Sequence, residues 1–221
     1  MRYPNATWKP ITTNFRPGRA GGRRRAMAFV CHSQEGSRSL HALFSNPSRR
    51  ASTHFWIGRD GAVEQYVDTA DTAWGNGERN RAGGPDGRVP WAAAAYAAAS
   101  LNDETISCEL EGRAGEPMSS QQEAAAGALM RWVHVAHELG EPRRHVTVIE
   151  HNQLSATACP SGRWPIDRLI AAIGVAPRPS SAGVLGFWYP DYTYDSALAK
   201  FINDTIVNQL RQAGIGTPKA A

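Results

Sequence analysis

The feature that most constrains the fold is an alternation of short apolar runs with segments of helical periodicity through most of residues 26–174. The short runs are rich in β-branched and aromatic residues, which is typical of strands, and the longer segments carry apolar residues at helical spacing. Strands that alternate with helices favour an α/β domain in which helices cover a sheet. We therefore expect a central β-sheet flanked by helices over this part of the chain.

Local signals place the individual elements. The Asp60-Gly61 turn between two β-rich runs predicts a hairpin. Ser37 is the expected N-cap of an early helix, and Ser119 or Ser120 opens the longest helix. The predicted strands cover residues 26–32, 54–57, 62–67, 105–110 and 146–150, and the predicted helices cover 37–44, 90–100, 119–139 and 166–173.

Composition shifts divide the chain into four parts. Residues 1–25 are rich in Pro, Gly and Arg and are expected to form an irregular N-terminal arm. The main domain follows at 26–175, and a Pro- and Ser-rich linker is expected at 176–183. The extension at 184–221 carries an aromatic cluster and a final helix at about 196–213. Its aromatic residues could bind sugar rings or could pack the final helix onto the main domain.

Charge and cysteine content narrow the class of protein. The net charge of +4 favours an anionic partner, such as a cell-wall polymer or a nucleic acid, without choosing between them. Three cysteines argue against a disulfide framework. The N-terminus has no apolar segment of the signal-peptide kind, and no apolar run is long enough to span a membrane. We expect synthesis in the cytoplasm and no membrane insertion, whereas the oligomeric state is not indicated.

Two histidines and one cysteine form a candidate metal site. His32 ends the first apolar run, His151 directly follows the last one, and Cys159 comes eight positions later in a turn-forming sequence. If the two strands are parallel neighbours, both imidazoles reach the same edge of the sheet, and the loop can return Cys159 to them. Imidazole nitrogen and thiolate sulfur are zinc ligands, and three of them leave a fourth position open. The alternative is two hydrogen-bonded core histidines and a buried free thiol.

Register decides which residue of the first strand faces this site. Cys31 and His32 are adjacent, so their side chains point to opposite faces of the strand. Cys31 shares its face with Met27 and Phe29, which are large and apolar. His32 is therefore the residue expected to face the site.

Glu109 is a candidate acid–base residue. It lies within the short apolar run 105–110, where burying a carboxylate is costly unless it is paired or used. Beside a metal-activated water it could accept a proton and pass it to a leaving amine. The alternative is a glutamate of an edge strand that faces solvent, and Glu111 on the same face keeps this alternative open.

Five sequence blocks in order carry a resemblance to a known family. The five blocks are His32-Ser-Gln-Glu-Gly36, Ser52-Thr-His54-Phe-Trp-Ile-Gly-Arg59-Asp60-Gly61, Thr72-Ala73-Trp74, Thr105-Ile-Ser-Cys-Glu109-Leu-Glu-Gly112, and His151 with Thr157-Ala-Cys159-Pro160. With these blocks the chain resembles, over about residues 20–175, the zinc N-acetylmuramoyl-L-alanine amidases of the type 2 amidase and peptidoglycan-recognition-protein fold. The first residues, Tyr3-Pro-Asn-Ala-Thr-Trp8, also resemble the start of actinobacterial phage or prophage lysins.

The resemblance implies a fold, a cofactor and a ligand set. The fold would be a central mixed β-sheet flanked by helices, with a C-terminal helical extension in this chain. One Zn²⁺ ion would be held by His32, His151 and Cys159. Glu109 would match the catalytic glutamate of the intracellular amidases, and the substrate would be the amide between N-acetylmuramic acid and L-alanine in bacterial peptidoglycan.

Two positions depart from the pattern of the family. Thr53 stands where small lysozyme-like phage amidases carry tyrosine, and Thr157 stands where several members carry lysine. Thr157 is still expected to donate a hydroxyl hydrogen bond during catalysis. Thr53, His54 and Trp74 are candidates for a substrate groove, although His54 could be structural and Trp74 could pack beneath the groove instead of stacking on a sugar.

The predicted function is peptidoglycan hydrolysis by a phage or prophage endolysin, made in the cytoplasm of a bacterial host and acting on its cell wall. One alternative is a non-catalytic peptidoglycan-binding module that has kept the fold. Another is a cytosolic amidase that recycles muropeptides. A nucleic-acid binder is disfavoured, because no helix carries dense Lys and Arg and no zinc-finger spacing of cysteines is present.

Overall fold

The structure is a computed structural model that describes residues 1–22, 25–77, 84–85, 87–98 and 100–174. The predictions for the linker at 176–183 and for the extension at 184–221 lie outside these residues. Residues Met1–Ala176 belong to one compact unit. Among the helices in the described ranges, none combines the length and the apolar character needed to cross a membrane.

A mixed sheet lies at the centre of the fold. Within the described residues it has six strands in the order β1-β5-β4-β7-β3-β8, and β2 pairs with β6 separately. β4 and β5 are antiparallel, whereas the other neighbours in the large sheet are parallel. The strands are β1 (Thr7–Trp8), β2 (Phe15–Arg16), β3 (Ala28–Ser33), β4 (Phe55–Ile57), β5 (Val63–Gln65), β6 (Thr72–Ala73), β7 (Thr105–Leu110) and β8 (Val148–Glu150).

Helices cover both faces of the sheet, as the alternation of strands and helices predicted. The cluster of buried residues on one face joins Phe29 and Cys31 of β3 to Leu129 of α4. The cluster on the other face joins Val30 to Leu101 of α3. The helices are α1 (His41–Phe44), α2 (Ala92–Ala98), α3 (Leu101–Glu104), α4 (Ser120–Ala136) and α5 (Ile166–Gly174).

The strand predictions agree well with the structure. β7 covers the predicted residues, and β3 and β8 lie within or overlap the predicted ranges. β4 and β5 form the predicted hairpin, in which Gly61 has a φ of 82° at the turn. Cys31 packs into one buried cluster while its neighbour Val30 packs into the opposite one, so His32 faces away from Cys31 as predicted.

The first helix is shorter than predicted, and Ser37 is not its N-cap. α1 occupies only the second half of the predicted range, and Leu40 is the residue that precedes it. Tertiary hydrogen bonds hold the preceding segment instead. The Gly36 N–H donates to the Gly112 carbonyl, and the Leu40 N–H donates to the Tyr66 hydroxyl. These contacts fix the backbone before a helix can begin.

The N-terminal arm is more ordered than its composition suggested. Its strand β1 extends the large sheet by parallel pairing with β5, and its strand β2 pairs with β6. Tyr3 and Ile11 are both buried, at 7% and 4% exposure. The prediction of an irregular arm is therefore wrong for these segments, which pack as part of the domain.

Candidate metal centre

Two parallel strands bring the histidines together. β3 ends with His32 and Ser33, and its parallel neighbour β8 ends just before His151. Because parallel strands end at the same edge of a sheet, both imidazoles lie there, with ring centroids 4.3 Å apart. His32 is 3% exposed.

The loop after His151 returns Cys159 to the same edge. The Ser33 N–H donates to Cys159 Sγ at 3.2 Å, and Sγ lies 3.8 Å from His32 Nδ1. The Asn152 N–H donates to the Cys159 carbonyl at 2.7 Å, which holds the loop in place. One ligand atom from each of His32, His151 and Cys159 lies within 4.8 Å of the others.

The protonation of these groups depends on whether a cation is present. Burial lowers the pKa of His32 to about 4, although its bond to Asn76 opposes the shift, so the imidazole is neutral and able to bind a metal. Burial raises the pKa of Cys159 to about 12, and the charge of Glu109 adds to the shift. A thiol in this position becomes a thiolate only when a strong positive charge is bound to it.

Glu109 lies beside the candidate ligands. It is in register with His32 across β7 and β3, and its Oε1 is 3.8 Å from His32 Nδ1. Burial raises the pKa of Glu109 to about 8, Glu35 adds to the shift and Arg49 opposes it. Its Oε2 atom is buried and has no hydrogen-bond partner within the described part of the chain. The side chain is not a solvent-facing glutamate of an edge strand, because β7 lies between β4 and β3.

The donor set fits a divalent metal ion with an open position. Bonds of about 2.0 to 2.3 Å in a tetrahedral site place donor atoms about 3.5 Å apart. In this structure His32 Nδ1 and Cys159 Sγ are 3.8 Å apart, and the three candidate ligand atoms lie within 4.8 Å of one another. Two imidazoles and one sulfur supply three donors, and the unpartnered carboxylate oxygen of Glu109 lies alongside them. Such a site can bind a metal, a water molecule and a carbonyl oxygen close together.

Thr157 and Trp74 both have surface that is accessible to solvent. Thr157 is exposed, and its hydroxyl oxygen accepts a hydrogen bond from the Cys159 N–H at 3.2 Å. Trp74 is half-buried, and its backbone N–H donates to Ser52 Oγ. Roles in catalysis and in substrate binding stay predictions for these two residues.

Thr53 and His54 are buried, at 1% and 0% exposure. Thr53 Oγ1 donates to Ser107 Oγ at 3.1 Å, and the Ser107 N–H donates to His54 Nδ1 at 3.1 Å. Burial, together with Arg19, holds the pKa of His54 well below its usual range. Their contacts join the residues just before β4 to β7. A groove role for Thr53 and His54 stays a prediction, and neither side chain has the exposed surface that such a role would need.

Asn76 and Ser33 are among the residues that contact the candidate ligands and that the sequence did not predict as site residues. Asn76 contacts His32 Nε2 through its side-chain oxygen at 2.5 Å, and Ser33 donates its backbone N–H to Cys159. Asn76 lies in a polar, glycine-rich loop, where no periodicity marks it. The position of Ser33 next to His32 was the only local signal for its contact.

A comparison with family models supplies the classification. The model of the N-acetylmuramoyl-L-alanine amidase family matches residues 22–162. The chain belongs to this amidase family. The matched range contains His32, Glu109, His151 and Cys159, which the structure brings together. The search of curated proteins found no statistically significant match to this chain.

Solved structures with a similar fold include AmpD and PlyL. A selenomethionine derivative of AmpD is 19% identical with a TM-score of 0.55, and the match covers 76% of this chain and 96% of the other. PlyL is 18% identical with a TM-score of 0.54, and the match covers 76% and 96% of the two chains. At these identities the similarity shows that the fold is shared, including the central mixed sheet with flanking helices.

Proposed function

We propose that this chain is a zinc-dependent N-acetylmuramoyl-L-alanine amidase that cleaves the amide between N-acetylmuramic acid and L-alanine in peptidoglycan. The observation that carries the proposal is the convergence of His32, His151 and Cys159 beside the buried carboxylate of Glu109. Membership of the amidase family supports the substrate class.

His32, His151 and Cys159 would hold the zinc ion. When bound, zinc polarises the scissile carbonyl and lowers the pKa of an attacking water. The positive charge also favours the carboxylate form of Glu109, whose pKa is otherwise about 8. The Ser33 N–H, which already donates to Sγ, stabilises the negative charge on Cys159.

Glu109 is the proposed general base and general acid. Its unpartnered Oε2 accepts the proton of the attacking water, and the same carboxyl then gives this proton to the departing alanine nitrogen. A residue for this task needs a pKa near the working pH, and the burial of Glu109 supplies the upward shift. Thr157 is proposed to donate its hydroxyl proton toward the developing oxyanion, since its oxygen already accepts from Cys159 N–H.

The lysin role is the proposed biological setting. The net charge of +4 and the isoelectric point of about 9.2 favour attraction to an anionic cell wall. A muropeptide-recycling amidase would act instead on small soluble fragments.

The Glu109→Gln variant tests the mechanism. We expect it to bind zinc normally but to lose about 10²- to 10⁴-fold in turnover, because the amide cannot accept the proton. Metal content by elemental mass spectrometry and amide cleavage of defined muropeptides are measured on the same preparations. Glu111→Gln is the matched control, because Glu111 lies two residues on and its carboxylate accepts from the Arg59 N–H. Full turnover in Glu109→Gln would remove this residue from the mechanism.

The choice of substrate separates the proposed roles. Purified wild-type protein is incubated with intact cell walls and with soluble muropeptides, with and without a chelator, and the cleaved bond is identified by mass spectrometry. Efficient cleavage of intact walls supports the lysin, whereas cleavage of soluble fragments alone favours recycling. Wall binding with no cleavage of either substrate would identify a non-catalytic binding module.

A further inference from the structure

The side chain of Asn76 lies directly behind the first candidate ligand. Asn76 is fully buried, at 0% exposure, and its Oδ1 is 2.5 Å from His32 Nε2. The opposite ring nitrogen, His32 Nδ1, faces Cys159 Sγ and Glu109 Oε1, each at 3.8 Å. Asn76 thus contacts the imidazole from the side that the candidate metal site does not use.

Neighbouring hydrogen bonds fix which end of the amide faces His32. The Thr105 hydroxyl donates its single proton to the Leu101 carbonyl at 2.6 Å, so its oxygen can only accept from Asn76. The group that donates to Thr105 Oγ1, at 2.6 Å, must therefore be the Asn76 Nδ2 amide. The amide oxygen is left facing His32, and a carbonyl oxygen can only accept.

This arrangement selects one tautomer of His32. Since the Asn76 oxygen only accepts, His32 Nε2 must carry the proton and donate it. A neutral imidazole has one ring proton, so Nδ1 keeps its lone pair. That lone pair is on the atom that faces Cys159 and Glu109.

We propose that Asn76 is a positioning residue that locks His32 in the Nε2–H tautomer and presents Nδ1 to the metal, an inference that rests on the proposed zinc site. Hydrogen bonds from a second residue to the far nitrogen of a metal-binding histidine orient the ring and strengthen the ligand. Here the imidazole donates to the Asn76 oxygen, the Asn76 amide donates to the Thr105 hydroxyl, and that hydroxyl donates to the Leu101 carbonyl. Because the last acceptor is a carbonyl oxygen, none of these bonds can reverse its direction.

The backbone of Asn76 is held as firmly as its side chain. Its N–H donates to Asn102 Oδ1 at 2.7 Å, and the Asn102 N–H donates to Ser100 Oγ at 3.2 Å. Ser100 Oγ in turn donates to the Gly77 carbonyl at 3.0 Å, which closes the contact between this loop and the start of α3. The backbone position of Asn76 is therefore fixed, and rotating its amide away from His32 would break the bonds of the side chain to both His32 and Thr105.

The test measures the tautomer and the zinc affinity separately. In metal-free protein at neutral pH, nitrogen-15 NMR of the His32 ring, assigned by its loss in His32→Gln, is expected to show the Nε2–H form. Asn76→Leu keeps the volume but removes the acceptor, so we expect a mixture of tautomers and about 10- to 100-fold weaker zinc binding. Asn76→Asp keeps an acceptor, so we expect it to retain the Nε2–H form.

A matched control removes a buried amide elsewhere. Gln122 is 1% exposed and bonds to the Ser119 N–H and the Glu111 carbonyl, so Gln122→Met should lower stability but leave zinc binding and the His32 tautomer unchanged. An Nδ1–H tautomer in the metal-free wild type would overturn the proposal, even if Asn76→Leu does not fold. Unchanged zinc affinity in a folded Asn76→Leu protein would also overturn it. Failure of the wild type to bind zinc would contradict the proposed function, while the metal-free tautomers would still decide the role of Asn76.

Discussion

At the residue scale, Gly112 lets the backbone pass close to the buried side chain of Arg163, because glycine has no Cβ atom. Gly112 has a φ of +129°, and a Cβ atom placed on it would lie 2.3 Å from Arg163 Nη2. That guanidinium is held by bonds to the Leu110 and Glu116 carbonyls. A side chain at Gly112, which forms a β-bridge with Gly36, would therefore strain the backbone and displace the Arg163 guanidinium from its hydrogen bonds.

Gly112→Ala is expected to destabilise the protein by about 2 kcal/mol or more, because strain at positive φ adds to a collision with a buried group. Gly115→Ala is the matched control. Gly115 also has a positive φ, of +80°, but nothing lies within 4 Å of its Cβ position. Its cost should be about 1 kcal/mol, from backbone strain alone. Urea unfolding of both variants measures the difference, and equal losses would contradict the role assigned to Arg163.

The sequence predicted the candidate ligands because each stands at a recognisable boundary. His32 and His151 follow apolar runs, and Cys159 lies in a turn. Asn76 could not be predicted in this way. Its contact with His32 joins positions 44 apart in the chain, and an amide in a polar loop leaves no pattern in the sequence.

At the scale of elements, the N-terminal arm anchors α3 and the start of β7. Arg19 is 5% exposed, and its guanidinium donates to the carbonyls of Thr69, Asp103 and Thr105. Burial lowers the pKa of Arg19 to about 10. Since Thr105 also accepts from Asn76, the arm supports the same hydrogen-bond chain that reaches His32.

Arg19→Met is expected to cost about 3 kcal/mol or more, because it leaves several buried carbonyls without a donor. Arg2→Met is the control in the same arm. Arg2 lies 4.3 Å from the ring centroid of Trp8, and losing this exposed cation–π contact should cost about 0.5 to 1 kcal/mol. Chemical denaturation of the metal-free proteins compares them. A cost for Arg19→Met no greater than for Arg2→Met would show that the buried hydrogen bonds of Arg19 contribute little.

Helices and strands whose boundaries are marked by clear sequence signals, such as capping residues, were predicted well. Ser119 caps α4, and Ser119 and Gln122 form a reciprocal capping box, as the serine at this boundary indicated. Ser37 misled the prediction of α1, because its neighbours Gly36 and Leu40 are held by Gly112 and Tyr66 from distant parts of the chain. Two-residue strands such as β1 are too short to show an alternation at all.

At the scale of the whole molecule, buried neutral histidines connect stability to pH. His137 Nδ1 accepts from the Ala26 N–H at 3.0 Å, and burial, with smaller contributions from Arg19 and the N-terminus, lowers the pKa of His137 to about 3. Burial also lowers the pKa of His134. The unfolded chain takes up these protons near pH 6.5, whereas the folded protein does not. The stability contributed by neutral His137 is thus present above pH 6.5 and is lost as the pH falls toward its folded-state pKa of about 3. His134 contributes in the same direction.

The His137→Asn variant isolates one of these groups. Asn can still accept from the Ala26 N–H but does not titrate, so the decrease in the free energy of unfolding from pH 7 to pH 5 should shrink by about 2 kcal/mol relative to wild type. Urea unfolding of metal-free protein at both pH values measures this. His41→Asn, at a partly exposed position in α1, serves as the control and should not change the slope as much. An unaltered slope in His137→Asn would be inconsistent with the buried neutral histidine.

The order of the strands could not be derived from local patterns. The neighbours of β3 are β7 and β8, which come much later in the chain, and β1 pairs with β5 across a similar gap. The alternation of strands and helices predicted a sheet covered by helices. The order in which the strands pair depends instead on tertiary packing. The resemblance to a known family predicted a mixed sheet, and the structure confirms this prediction.

His32 and Cys159 are 127 positions apart in the chain, yet their side chains meet at one edge of the sheet. A metal ion bound by both residues would cross-link the chain and close a loop that contains most of the described residues. Its binding free energy would then be shared by every element inside that loop, since the unfolded chain does not hold the two ends together. Catalysis and the stability of the folded domain would then both depend on the bonds between the ligands and the metal ion.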